Sequence, residues 1–379
     1  MEEYKNIQDG NARLGESVCL QKRYTKLLIV KNHRGQEERE HEIIASGKRH
    51  SEIMTQQNKL TEIRLLFNCQ TSRTFVLQGV AGIGKTMTAR KIMLDWAAGK
   101  LYRKRFDYVF YINCRKINAT TEEQSVADLV LNNCPERNRP IEEIFDNPEK
   151  LLFIVDGFDE LNFCLDTEEN CLCTDPSKRK PVSNVLCSLL KRKVLHKSFL
   201  LITTRPTALQ KLKNNLGHVD FAEIMGFSTK DREEYFHKFY DDAKKAAQAF
   251  NFVKENEILF TMCFVPIVCW IICTVMKQQL DKGEDLAETS ETTTSVYMLF
   301  LSSLLSDHFT DSVHSQNSKT NLWKLCSLAA DGILKRKILF DKDDLKNHNL
   351  CFSNIQSLFL NKSIFLKVLN VKVSTASFT

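Results

Sequence analysis

The chain has 379 residues, of which 43% are hydrophobic and 26% charged, and a formal net charge of +6. This is the composition of folded globular domains, which excludes a disordered or fibrous chain, and the length suits two or three domains. So mild a charge does not by itself point to nucleic acid. The thirteen cysteines follow a polar opening, MEEYKNIQDGNARLGES, that predicts no secretory leader, so they read as reduced, mostly buried thiols of a cytoplasmic protein.

Residues 1–55 are polar and mixed in charge, with one apolar patch in YTKLLIVKNH. That is too little for a separate core, so this segment is expected to pack on the next domain. A domain over 56–215 is expected to open with a helical stretch near KLTEIRLLFN. TFVLQ (74–78) then reads as a buried strand, and MTARKIMLDWAAG as a helix with Ala89, Ile92, Met93 and Trp96 at helical spacing and Gly99 as its stop. DYVFYIN (107–113), KLLFIVD (150–156) and SFLLITTR (198–205) are further strands. Apolar runs alternating with helices predict a parallel sheet buried on both faces. After about residue 216 the strands are expected to stop.

The segment 216–285 reads as a helical domain whose first helix is capped by Ser228. Within it, Ile258 to Met276 is a nineteen-residue run without a charge, near the length of a membrane span. Pro266 interrupts it, so two buried helices are expected, the second with Pro266 in its first turn, and no transmembrane span. The last domain, 286–379, is expected to hold a helix at ETTTSVYMLFLSSLL and a polar loop at 309–321. From 322 to 350 it should run helix, turn or short strand, helix.

The segment Gly79-Val80-Ala81-Gly82-Ile83-Gly84-Lys85-Thr86 fits G-x-x-x-x-G-K-[ST]. Glycines let backbone N–H groups turn inward around phosphate oxygens, and a helix starting at Lys85 adds its positive end. In such a loop the lysine reaches the β- and γ-phosphates and the threonine hydroxyl meets Mg²⁺, so ATP or ADP with Mg²⁺ is the expected ligand. Asp156, at the end of an apolar run, is the second metal-ordering acid. Because the strand 107–113 lies between these motifs in sequence, the pattern suggests the P-loop class with an extra strand between them.

The residue after Asp156 is Gly157, not glutamate. Asp159 and Glu160 are the candidate catalytic bases about a turn later, and Arg205, in Thr203-Thr204-Arg205-Pro206, is placed to report a γ-phosphate. That spacing is not the one expected of an efficient hydrolase. From Pro176 to Val219 there are ten Lys or Arg and no acid. This basic stretch suits an anionic membrane or an acidic partner, the plainer alternative being a solvated helix face. Cys164, Cys171 and Cys173 lack the fourth ligand of a zinc site.

GVAGIGKT, LLFIVDGFDEL, LLITTRP, LFTMCFVPIVCW and LCSLAADGILKRKILF together resemble the NACHT module of the NOD-like receptors, in the pyrin-containing subfamily. NARLGESVCLQKRYTKLLIVKNHRGQEERE resembles the FISNA segment that precedes NACHT in its cryopyrin-like members. The resemblance implies an α/β P-loop NTPase of the STAND class, followed by a helical domain and a partial winged-helix domain. It implies an innate immune, inflammasome-type switch, closed with ADP, that opens and self-associates on exchange for ATP, with slow hydrolysis at most. It places Arg23, Tyr24 and Thr25 beside the nucleotide, and Pro266 and Trp270 over its base. The family's pyrin domain, leucine-rich repeats and phosphate-binding winged-helix histidine are expected to be missing. That leaves a decoy that binds full-length receptors as one alternative and a P-loop ATPase or kinase as another.

Overall fold

The computed structural model describes residues 5–8, 17–31, 60–68, 72–118, 120, 122–132, 141–163, 168–209, 212–213, 216–284, 286, 292–306, 312–335 and 342–350. The chain divides into two units, one made of Met1–Lys5 and Cys19–Trp270 and the other of Asn6–Val18 and Ile271–Thr379.

The first unit is built on a seven-stranded sheet. Its strands are β1 (Leu28–Lys31), β2 (Leu60–Thr61), β3 (Thr74–Gln78), β4 (Tyr108–Asn113), β5 (Leu151–Asp156), β6 (Phe199–Thr204) and β7 (Asp220–Gly226), in the spatial order β2-β1-β7-β3-β6-β5-β4. From β7 to β4 every pairing is parallel; β1 pairs antiparallel with both β7 and β2. β3, β5 and β6 are buried along their whole length. This explains their unbroken Val, Ile, Leu and Phe runs, since helices cover both faces of a parallel sheet. The register sets Thr204 beside Gln78 and Asn113 beside Asp156. The carboxyl ends of β3, β4, β5 and β6 therefore come out together, where open α/β sheets bind their ligands.

Several expectations are corrected. Strands do not stop at 216: β7 pairs with β3, and Glu223 sits in its buried middle because the Gln78 amide donates to the carboxylate at 2.9 Å. An extra strand does stand between β3 and β5, as the motif pattern suggests; in space it is β6, while the 107–113 segment, which lies between the motifs in sequence, pairs on the outer side of β5. The helical stretch expected near KLTEIRLLFN is a 3-10 helix over Ile63–Asn68, with the short strand β2 before it. The apolar patch YTKLLIVKNH supplies β1, so the N-terminal segment joins the main sheet.

Helix α1 is Lys85–Ala97, α2 is Cys114–Asn118 and α3 is Val182–Leu190. No Lys or Arg lies on α3, so the basic residues of 176–219 do not form a face of this helix; they stand before it, after it and at strand ends. Three helices follow β7: α4 (Thr229–Phe239), α5 (Ala243–Glu255) and α6 (Glu257–Met262), each capped by a side chain, from Ser228, Asp242 and Asn256. A turn at 263–265 separates α6 from α7 (Pro266–Lys282), and Pro266 stands at the first helical position as expected. No helix among the described residues is long and apolar enough to cross a membrane.

The second unit takes up α7 from Ile271 onward, then α8 (Thr293–Ser306), α9 (Ser312–Leu334) and α10 (Lys342–Asn347). The polar stretch expected as a loop at 309–321 is helical from Ser312. Asp331 on α9 pairs with Lys335 at 3.0 Å and meets His348 at 3.3 Å. The tail 352–379 and Cys164 lie outside the described residues.

Candidate nucleotide site

The site grows from the end of β3. Gln78 closes the strand, residues 79–84 make the loop, and α1 begins at Lys85. Gly82 and Gly84 hold φ of +75° and +103°, which side chains rarely adopt. A Cβ on Gly82 would lie 2.3 Å from Ile267 Cγ2, and one on Gly84 would lie 2.8 Å from Leu27. Glycine is therefore required by close approach as well as by backbone angle. Gly84 is the N-cap of the thirteen-residue α1 and gives no side-chain cap, which leaves the first N–H groups of the helix to a ligand.

Lys85 Nζ donates to the carbonyls of Gly79 at 2.7 Å and Val80 at 2.9 Å. The ammonium thus folds back on the loop that should hold phosphate. Burial pushes its pKa down to about 8, against the pull of the Asp159 carboxylate; Arg205 pushes the same way as burial, and Asp156 and Glu160 pull with Asp159. All four charged groups expected at the site are close enough to act on this one amine.

Each of the three acids is already held. Asp156 is 4% exposed and accepts from Thr203 Oγ1 and from the Tyr111 hydroxyl, both at 2.6 Å. Thr203 Oγ1 in turn accepts from the Gly157 N–H at 2.9 Å, tying β6 to the turn after β5. Asp159 meets Arg205 Nε at 2.9 Å and accepts from the Arg205 backbone N–H at 3.1 Å. Glu160 is gripped by Arg115, with Nε at 2.5 Å from Oε2 and Nη2 at 2.9 Å from Oε1, the two-point geometry a guanidinium makes with a carboxylate. Burial raises the Glu160 pKa although Arg115 opposes it.

The segment 23–25 lies along α1 and α4. Lys91 Nζ on α1 stands 5.5 Å over the Tyr24 ring, and Lys238 Nζ on α4 donates to the Tyr24 carbonyl at 2.6 Å. Arg23 stacks 4.3 Å over Phe239 and donates to its carbonyl at 3.2 Å. Burial pushes the Tyr24 phenol up to about 12. Thr25 is 3% exposed, and its Oγ1 has no partner among the described residues. At the other side, the Ile267 N–H donates to the Gly82 carbonyl at 3.3 Å, so the first turn of α7, with Pro266, sits against the loop. Trp270 is half-buried one turn further along.

Sequence reasoning missed Arg115, Tyr111, Thr203 and Ile267. Arg115 lies 45 residues before Glu160, and no local pattern joins them. Thr203 was visible beside Arg205, and its bond to Asp156 follows once β6 is set next to β5.

The residues present fit a nucleotide. The cradle admits no Cβ at two glycines, a helix start offers its N–H groups, and Thr25 keeps a buried hydroxyl without a partner among the described residues. The comparisons agree. The NACHT domain matches residues 73–243, the fish-specific NACHT associated domain 1–68, and the NOD2 winged helix domain 320–375. NACHT, LRR and PYD domains-containing protein 3 of Macaca mulatta is 49% identical over 371 residues, 96% of this chain and 35% of that protein. Protein 12 of the same series from Homo sapiens is 46% identical over 374 residues, covering 97% of this chain and 35% of that protein. The chain spans about a third of the length of these curated relatives. A point variant of RuvB from Thermotoga maritima overlays with a TM-score of 0.33 at 10% identity, covering 76% of this chain and 78% of that one, too loose a likeness to inform the site. The chain therefore belongs to the NOD-like receptor family of nucleotide-binding P-loop proteins, of which it carries the FISNA, NACHT and winged-helix portion.

Proposed function

We propose that this chain is the switch of a cytoplasmic, inflammasome-type innate immune receptor, which holds ADP or ATP and turns it over slowly at most. One observation carries the reading: both acids near enough to serve as a general base are already bound to their own arginines, Glu160 to Arg115 and Asp159 to Arg205. A base must come within hydrogen-bond reach of the attacking water, and here each acid spends both its oxygens on its arginine.

In this reading the 79–84 loop and the start of α1 bind the phosphates, Lys85 leaves its own carbonyls to meet them, and Arg205 senses the third phosphate. Arg23, Tyr24, Thr25, Pro266 and Trp270 flank the base. Thr86 and Asp156 would hold Mg²⁺, which supplies neutralisation of phosphate charge when bound. Exchange of ADP for ATP opens the molecule for self-association or for pairing with full-length receptors through NACHT.

The test is the nucleotide that co-purifies with the chain, released by denaturation and resolved by ion exchange, together with the turnover of added ATP. Stoichiometric ADP and turnover below about one per minute are expected, against roughly 1–10³ per second for typical enzymes. An empty site in folded protein, or fast turnover, would overturn the switch.

A further inference from the structure

A second concentration of positive charge lies at the opposite, amino ends of the strands. Ser72 and Arg73 lead into β3, which starts at Thr74, Arg192 and His196 follow α3, and His218 precedes β7. Together they line a cavity of about 340 Å³, within the roughly 300–1,000 Å³ range of small-molecule pockets. Ser72 Oγ donates to the carbonyls of Thr74 at 2.9 Å and His218 at 3.1 Å, which pins two of its walls together. The site is therefore built, not a gap between loose chains.

Arg192 is the unusual residue. Its Nη2 donates to the Ser198 carbonyl, while Nη1 is buried without a partner among the described residues. Its backbone holds φ of +62°, a left-handed conformation in which arginine gains nothing locally. A buried charge is normally paired. Here the charged neighbour is Arg73, whose like charge adds to burial in pushing the Arg192 pKa down to about 10. Arg73 spends its bonding on the Lys197 carbonyl and on the Phe199 ring, 5.4 Å away, and pairs with no carboxylate among the described residues. No acid of the described residues lines the cavity, and the sequence from Pro176 to Val219 has none to supply. Beyond Arg73 a second cleft continues the positive charge with Lys104, Arg105 and Lys150 around the acid Glu149.

We infer that this cavity is an anion site, separate from the P-loop, for a phosphate-bearing small molecule, with Arg192 and Arg73 as its charged floor and rim and His196 and His218 as neighbouring donors. Two guanidiniums converging without a carboxylate are what multiply charged phosphate esters select. The inference stands whether or not the P-loop turns over nucleotide.

The probe is inositol trisphosphate, titrated calorimetrically into the whole chain and into Lys85→Ala, Arg192→Met and Arg73→Met, with ADP affinity and circular dichroism as controls on folding. Saturable binding is expected in wild type and in Lys85→Ala. A loss of tenfold or more is expected in Arg73→Met, whose side chain is exposed and safe to replace, and in Arg192→Met, with ADP binding kept in both. Vesicles of phosphatidylcholine with phosphatidylinositol bisphosphate distinguish the source of the phosphate. Retention on them, competed by the trisphosphate, assigns a lipid headgroup; binding of the trisphosphate without retention assigns a free solute. No binding in wild type, or binding unchanged in Arg73→Met, overturns the site. Binding lost in Lys85→Ala alone would return the anion to the P-loop and equally overturn it.

Discussion

Lys85 holds its charge against two carbonyls of its own loop, so a phosphate must take the ammonium away from Gly79 and Val80. Lys85→Ala should therefore remove the charge-assisted bonds, worth about 1.5–3 kcal/mol each, and weaken nucleotide binding by tenfold or more in a titration with labelled ADP. Unchanged affinity would sink the P-loop assignment. The sign of the pH effect follows from the same amine. Its folded pKa, about 8, lies below the ordinary 10.5, so the nucleotide-free fold binds fewer protons than the unfolded chain across that window. The cost of burying this lysine accordingly lessens as pH rises through it. Phosphate restores the proton, so affinity should fall above about pH 8 and binding there should take up a proton. Calorimetry in two buffers of different ionisation enthalpy reads that uptake, and equal heats would refute it. At Glu160 the test is release: Arg115→Ala should raise ATP turnover several-fold, and Arg115→Ala with Glu160→Gln should cancel the gain. If turnover stays flat in the single variant, Glu160 is not the restrained base.

Where α7 meets the loop, the close approach is specific to glycine. Gly82→Ala should lower both the melting temperature and the ADP affinity, since its Cβ meets Ile267 and its φ of +75° is strained. Adding Ile267→Ala should recover part of the loss by removing the clash but not the strain; a double-mutant cycle with no coupling would show that the two do not touch. At the head of α4, Ser228 and Asp231 exchange side-chain and backbone bonds as a capping box. Ser228→Ala should cost about 1 kcal/mol, read as a modest drop in melting temperature. The helices and strands were legible to different degrees. Leu151–Asp156 and Phe199–Thr204 were plain, because strands buried on both faces leave unbroken apolar runs. Asp220–Gly226 was missed because Glu223 interrupts its run, and the Gln78 amide that makes that burial tolerable lies 145 residues away. The helix from Ser312 was hidden by a polar sequence without an apolar period. In the site, the glycines, Lys85 and Asp156 carry a local motif, whereas the arginines that occupy the acids are set there only by strand order.

For the chain as a folding unit, a nucleotide that binds only the native state should raise stability, by about 2.7 kcal/mol at a hundred times its dissociation constant. Thermal melts with ADP and Mg²⁺, and after chelation and dialysis, should differ by several degrees in wild type and by clearly less in Lys85→Ala. Equal shifts in both proteins would place the stabilising ligand elsewhere. The strand order also bears on how the chain is made. β1 meets the two-residue β2 soon after it is made, but its partner on the other side, β7, comes about 190 residues later, which at about 5–20 residues per second leaves that side open for roughly 10–40 s of synthesis. For that time Leu28, Ile29 and Val30 lack the β7 strand that joins them to the main sheet. The nascent chain must be shielded by chaperones or risk pairing with a neighbour, so the yield of folded protein should depend on the pace of its own translation.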